Sequence, residues 1–287
     1  MANAEKYRML SRTQFGCRKF HMAMAAGNIL VNVFDHSRFR RQAIVVTPED
    51  QAHCFDYLQL GLASLAQRSL GVPDEPVNMM VEVLQRARRR ISTPFGVSED
   101  WYGGDELFEQ GKPPMGGSGQ GNGDGPCIYT AEVDKADKVV ELWGAGTLVV
   151  APMTRNLVNL PNIKYVDDNQ GLTSSTCLLD KGEVVIPRAQ KELNDWQQLA
   201  AVSGGALNHG KTTCWILDYK WEKGKWKYRT EASLPGKLTL IDQEGQRRPI
   251  TRLKPSQAHK ILGFFPAADG NWKEEIKYLK EIGSGFS

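Results

Sequence analysis

Two short β-prone runs, each ending in acids, constrain this 287-residue chain more than any other feature. Tyr165-Val166-Asp167-Asp168 sets adjacent carboxylates behind the run that starts at Ile163, and Ala43-Ile44-Val45-Val46 leads to Asp50. Strands of fixed spacing, laid side by side, carry such residues to one end of a sheet. Alone, the four-residue box reads more readily as an acidic turn after Asn162-Ile163-Lys164. Joined to Asp50, it predicts three carboxylates aimed at one point. Shared carboxylates hold two divalent ions ~4 Å apart, which activate an attacking oxygen and stabilise a leaving pyrophosphate. Magnesium suits such a cluster because it takes one or two carboxylates and keeps room for water and phosphates. Manganese is the alternative ion.

Composition sets the frame. With 41% hydrophobic and 24% charged residues the chain can bury a sizeable core, as one large domain or two subdomains. A net charge of +3 suits a nucleic-acid partner without demanding one. Cys17, Cys54, Cys127, Cys177 and Cys214 have no close spacing, which predicts a reducing, intracellular setting (nucleus or cytoplasm) and no zinc site. The N-terminus lacks an apolar secretion segment, and no run approaches a membrane span.

Periodicity predicts a helix over Lys19–Val33 before a basic turn, Arg38-Phe39-Arg40-Arg41, and a strand at Ala43–Val46, where Pro48 limits pairing just before Asp50. Helices follow over Asp56–Leu70 and from Glu75 to about Arg90, then a strand over Ile91–Val97. Gly111–Gly125 reads as a long functional loop, Ala131–Glu141 as a helix, Leu148–Ala151 and Ile163–Val166 as strands, and Gln190–Val202 as a helix. Two hairpins close the pattern. Tyr219, Trp221, Trp226 and Tyr228 share one face of the first, and the second turns at Asp242-Gln243-Glu244-Gly245.

The motifs in this order resemble a reverse transcriptase. Asp50 and Asp56 frame the spacing of that family's first acidic motif, and Gly119-Gln120-Gly121 with Gly125-Pro126 is similar to its glycine-rich loop. The Tyr-x-Asp-Asp box at 165–168 follows, then Gly204-Gly205-Ala206-Leu207-Asn208 with Lys211-Thr212, and Ile261-Leu262-Gly263-Phe264 resembles the segment supporting the primer terminus. Upstream, Gln14-Phe15-Gly16-Cys17-Arg18-Lys19 resembles the box preceding the palm in non-LTR retrotransposon and group II intron polymerases. The five palm motifs in order are far more specific than any one.

The resemblance implies an α+β polymerase palm, an antiparallel sheet backed by helices, with partial fingers over 1–42, the palm over 43–287 and the thumb largely absent. It implies RNA-directed DNA synthesis on an RNA or DNA template-primer with deoxynucleoside triphosphates, by a truncated or decayed retroelement enzyme. Asp50, Asp167 and Asp168 would hold the ions. Phe55 would gate against a 2′-hydroxyl, Gln120 and Gly121 would support nucleotide or template, Lys211 would meet the leaving-group charge, and Arg18 and Lys19 would stand in for the fingers' cations.

Plainer readings stand beside these. Phe55 reads also as a core aromatic, Lys211 as a surface lysine, and Arg86, Arg88, Arg89 and Arg90 as a solvated helix end as readily as a phosphate grip. The aromatic hairpin face reads as a base-stacking platform or as core, and His53 as structural. A non-catalytic nucleic-acid-binding remnant is the non-enzymatic alternative. Gly205–Thr212 also spells a phosphate loop, but that loop must leave a strand and open a helix, whereas here a helix is expected to enter and a strand to leave. Two departures from the family stand out: polar Asn169-Gln170-Gly171 after the acids, and Glu132, Asp134, Lys135 and Asp137 where an apolar helix is expected.

Overall fold

In the computed structural model, which describes residues 2–52, 54–88, 90, 92–101, 117–118, 123–144, 146–151, 153–175, 177, 180–242 and 244–284, the two acid-bearing runs enter one sheet, on either side of the strand that starts at Asp168. Its strands are β1 (Ile44–Glu49), β2 (Asn162–Tyr165), β3 (Asp168–Ser174), β4 (Thr213–Leu217) and β5 (Thr251–Leu253), in the order β5-β4-β1-β3-β2. Neighbours run antiparallel except β4 and β5, which are parallel. The helices are α1 (Ala2–Lys6), α2 (Ala23–Arg40), α3 (Leu60–Ser69), α4 (Asp74–Arg86), α5 (Gly125–Leu142), α6 (Gly182–Val202) and α7 (Lys273–Ser284). Among the described residues, no helix is long and apolar enough to cross a membrane.

The central strand β1 is buried at every position. Val45 joins Cys214 and Ile216 in an apolar cluster with Tyr129 and Val133 of α5 and Val185, Leu193 and Trp196 of α6. Ile44 and Val46 point the other way, with Leu172, Trp215 and Leu217, against Leu30, Val33 and Phe34 of α2. Burial on both faces explains why Ala43–Val46 and Thr213–Leu217 lack alternation, and each fully buried aliphatic chain contributes about 1.5–3 kcal/mol. The fold is therefore α+β, a mainly antiparallel sheet backed by helices. α2, from the segment assigned to fingers, covers one face of the sheet.

Pairing of β1 with β3 runs through Glu49↔Asn169, but pairing with β4 stops at Val46↔Trp215. Pro48, which has no N–H to offer, lies beyond that stop. The β1–β4 seam thus ends short of Asp50.

Several elements differ from expectation. α2 continues through the expected basic turn and stops at Arg41, whose φ of 57° is left-handed. α5 opens at Gly125, with Pro126 in its first turn, not at Ala131. Ile91–Val97 yields only a two-residue ladder, Ser92–Thr93 with Gly96–Val97. Thr147–Val150 pairs with Leu157–Leu160, a strand not foreseen. The polar stretch after the acids is the fully formed β3.

Candidate active site

The acid turn is built under strain and braced. Tyr165 pairs with Asp168 at the end of the β2–β3 hairpin, which leaves Val166 and Asp167 as its two-residue turn. Val166 has φ 61°, a left-handed conformation costing a β-branched residue about 1–2 kcal/mol. Fully buried Gln14 holds it. Its Oε1 accepts from Val166 N (3.1 Å) and Gly16 N (2.8 Å), and its Nε2 donates to Val166 O (3.3 Å). Phe15 N donates to Lys164 O (2.8 Å) and Lys164 N to Thr13 O (2.9 Å). Gly16 is required by close approach, since a Cβ there would stand 2.3 Å from Val166 N. The Gln-Phe-Gly box is thus the physical brace of the acid turn.

Asp50 is fixed from the other side. Asn208 N donates to its carbonyl (2.8 Å), its own N–H reaches Thr212 Oγ1 (3.5 Å), and Gln51-Ala52 pairs with Leu207-Ala206. Lys211 Nζ lies 3.4 Å from Asp50 Oδ2. Burial, then the neighbouring charges of Asp167 and Asp50, push Asp168 up to about 6. Cys54 Sγ donates to Asp167 Oδ2 (3.4 Å), and burial together with that carboxylate pushes the thiol up to about 12.

Two clefts meet at these groups. One of about 620 Å³ is lined by Asp50, Phe55, Asp56, Asp167, Lys211 and Arg248, among others. The other, about 310 Å³, is lined by Asp50, Asp168, Gln170, Lys211, His259 and Ile261, among others. The donor chemistry, three carboxylates whose mutual repulsion is felt at Asp168, suits a hard divalent cation. Among the described residues, however, no three His, Cys, Asp or Glu side chains are already grouped to hold a metal ion. Asp50 instead has the Lys211 ammonium beside it.

The remaining expected residues divide sharply. Half-buried Phe55 packs edge-on against Tyr129 (5.7 Å, 64°) and also lines the larger cleft. Gln120, Gly121, His53 and Arg89 lie outside the described residues. Arg18 takes a different role from the expected one. Its guanidinium is engaged by Glu5 (2.5 and 2.9 Å) and by the carbonyls of Ser11 (2.8 Å) and Gln14 (2.9 Å), so it secures the brace and is not free to meet a triphosphate. Lys19 is exposed, its ammonium 4.9 Å from the Phe20 ring centre, and it lines neither cleft. Arg86 pairs with Glu82 (3.1 Å), and Arg90 lies 4.4 Å over Trp101.

Residues 205–212 do not form a phosphate loop. They run from the Ala206–Leu207 ladder through a turn into β4, with no helix N-terminus to receive phosphate. At 261–264, Leu262 and Gly263 both have positive φ (52° and 88°) in a tight turn, and the Phe264 ring seats on Gly27 of α2. Sequence reasoning missed Arg248, which pairs with Asp242 (2.5 Å) and Glu244 (2.8 Å) on the cleft wall, as well as His259 and Lys260. The hairpin carrying Arg248 was legible, but its approach to the 204–212 loop is a long-range event.

Most of the residues in the two departures find polar partners on neighbouring elements. Lys164, 1% exposed, places Nζ 2.6 Å from the wholly buried Asp137 and 3.4 Å from the centre of the Trp196 ring. Asn162 Nδ2 also donates to Asp137 (2.9 Å). Glu49 accepts from Thr47 Oγ1 (2.9 Å) and Asn169 Nδ2, yet burial still pushes it up to about 7. Asp134 accepts from Ser11 N and pairs with Lys138 (2.9 Å). Polar residues that look misplaced in α5 and β3 thus have partners on neighbouring elements and make a polar bed along the strands that carry the acid turn.

No protein-family model matches this chain, and no curated protein does. Among solved structures it is similar to apo telomerase from Candida tropicalis truncated from its C-terminal domain, at 12% identity and TM-score 0.48, over 79% of this chain and 44% of that one. It is also similar to C. tropicalis telomerase in complex with a TWJ fragment of telomeric RNA (13%, TM-score 0.44, 80% and 32%) and to the corresponding C. albicans complex (10%, TM-score 0.44, 98% and 40%). The chain spans less than half the length of each of these.

Proposed function

We propose that the paired clefts are the centre of a template-directed nucleotidyl-transfer enzyme, a reverse-transcriptase-like palm of non-LTR retroelement type. One observation carries the reading. Asp50, just past the end of the central strand, lines both clefts, sharing one with Asp167 and the other with Asp168 of the strained and braced hairpin. Strain held in place by a dedicated brace is characteristic of functional turns.

In this reading Asp50, Asp167 and Asp168 hold magnesium, which when bound supplies Lewis-acid stabilisation of phosphate charge. The chain's own residues do the rest. Gln14 and Gly16 fix the height of the turn, the 204–212 loop fixes Asp50, and Lys211 presents a cation at the cleft shared by both wings. Phe55, on the wall of the larger cleft, would meet an incoming sugar, and Ile261, on the wall of the smaller cleft, would lie toward the primer end. The natural substrates are a primed RNA or DNA template and deoxynucleoside triphosphates.

The test is extension of a primed RNA template with magnesium. The wild-type chain is expected to extend the primer, and Asp167→Asn to lower the rate at least ~100-fold, as loss of a transition-state charge stabiliser does, with an unchanged urea midpoint. Extension by the variant at near wild-type rate overturns the assignment. Salt-sensitive binding of the primed template without extension by either protein would point to the non-catalytic reading.

A further inference from the structure

The aromatic hairpin lies far from the acids and is not used by the reading above. It consists of Tyr219–Glu222 paired with Lys225–Tyr228, and it leaves β4 at Leu217, the end that pairs with Ile44. The acids follow the opposite end of β1, so the two regions are separated by about 20 Å, the rise of a six-residue strand.

The hairpin is divided along its length. Its base is anchored: Tyr219, 3% exposed, shares a hydrogen bond with Ser37 Oγ (2.9 Å), and Tyr228 OH donates to Ala268 O (3.3 Å). Arg229 ties the base further, to buried Asp218 (2.8 Å) and to Glu183 (2.6 Å). Its outer half is not core. Trp221 and Trp226, paired across the ribbon with ring centres 5.4 Å apart, are 61% and 44% exposed. Charge surrounds them. The Arg41 guanidinium stands 5.5 Å from the Tyr219 ring centre and 5.8 Å from that of Trp226, and among the described residues no carboxylate pairs with it. Lys220, Lys223, Lys225 and Lys227 stud the ribbon against one acid, Glu222.

We propose that this outer half, Trp221 and Trp226 with Arg41 and Lys223, is a second nucleic-acid site that takes single-stranded DNA or RNA. Exposed indoles on an anchored ribbon offer flat faces to unpaired bases, and base–aromatic stacking tolerates any sequence. Arg41 and the lysines supply the phosphate attraction that a purely apolar protein contact would not need. A duplex, whose bases are already stacked, gains nothing from the indoles.

The experiment is fluorescence anisotropy of a short fluorescein-labelled oligothymidylate, and of a blunt duplex of equal length, with the full chain at two salt concentrations. Trp221→Ala and Trp226→Ala are each expected to weaken single-strand binding about tenfold, within the range of one lost stacking contact, while Trp221→Tyr retains most of it and duplex binding does not change. Arg41→Gln, which removes a cation from outside the ribbon and leaves both indoles in place, is expected to weaken binding and flatten its salt dependence. Asp167→Asn should bind the oligonucleotide normally, which separates this site from the catalytic reading. Photo-crosslinks from 5-iodouracil should map to Trp221 or Trp226. Unchanged affinity in all three truncating variants, equal losses on duplex and single strand, or crosslinks confined to the Asp50 clefts would overturn the proposal.

Discussion

Replacing Lys164 by Met tests whether the buried bed really supports the acid turn. Met matches the length of the lysine and fills the same channel beside Trp196. The charge is what is lost. Lys164 is 1% exposed, and its partner Asp137 is wholly buried, with Oδ1 2.6 Å from the ammonium. Without it Asp137 keeps only the Asn162 amide as a donor to that oxygen, and its Oδ2 has no hydrogen-bond partner among the described groups. A buried carboxylate stripped of its counter-charge costs about 3–5 kcal/mol. At roughly 2–4 °C per kcal/mol for a chain of this order of size, the melting temperature should fall by about 6–20 °C. The second half of the cycle discriminates. Asp137→Asn, added to Lys164→Met, keeps an acceptor for Asn162 but removes the stranded charge, and should recover about 2 kcal/mol or more. Urea denaturation followed by tryptophan fluorescence measures all four proteins. If Lys164→Met costs under ~1 kcal/mol, or if the second substitution adds to the loss, the pair is not the keystone described and the bed is held some other way.

Three further outcomes follow from the same geometry. Gly16→Ala pushes a methyl into Val166 N and should displace the acid turn, so that primer extension falls about 100-fold, the scale of a 1 Å misplacement; unaltered extension would show that the turn does not depend on its brace. Glu132 titrates near 7 in the fold against 4.5 in the unfolded chain because it is buried, so its contribution to stability is complete below about pH 4.5 and is lost as pH rises through 7. Glu132→Gln should therefore stabilise the protein at pH 8 by up to about 3 kcal/mol and not at pH 4, as read from urea midpoints at the two pH values. Phe55→Ala should raise ribonucleotide over deoxynucleotide incorporation about tenfold through a lost clash, as measured by competitive primer extension, and an unchanged ratio would leave Phe55 as packing against Tyr129.

What the sequence revealed and what it hid separate along contact range. The runs at Ala43–Val46 and Ile163–Val166 announced strands because β-propensity and the following acids are local properties, whereas their placement on either side of Asp168–Ser174 is set by long-range pairing. The Gln14–Lys19 box was visible only as a pattern. That Gln14 commits its amide to Val166, 152 residues away, and that Arg18 turns back to Glu5, is set by three-dimensional closure that no window of sequence contains. Asp137 and Asn169 looked like departures for the same reason: each was judged without its partner, Lys164 or Glu49. The wall supplied by Arg248 and His259 was invisible because hairpin and loop meet only across the cleft.

The two ends of the sheet also differ in how they are stabilised, and that difference bears on function. Toward Ile44 and Leu217 the core is apolar on both faces, insensitive to exact geometry, and able to supply much of the stability. Toward Asp50 the same strands carry Thr47, Glu49, Asn162, Lys164 and Asn169, whose hydrogen bonds fix direction and distance at little net gain. A positive-φ valine could not persist at the end of a merely greasy hairpin, because the strand could relax by sliding. It persists where Gln14 and Gly16 clamp it from one side and the polar bed fixes its parent strands from below. Stability is drawn from one end and precision is imposed at the other, which is the arrangement expected if the position of Asp167 and Asp168 matters more than their burial.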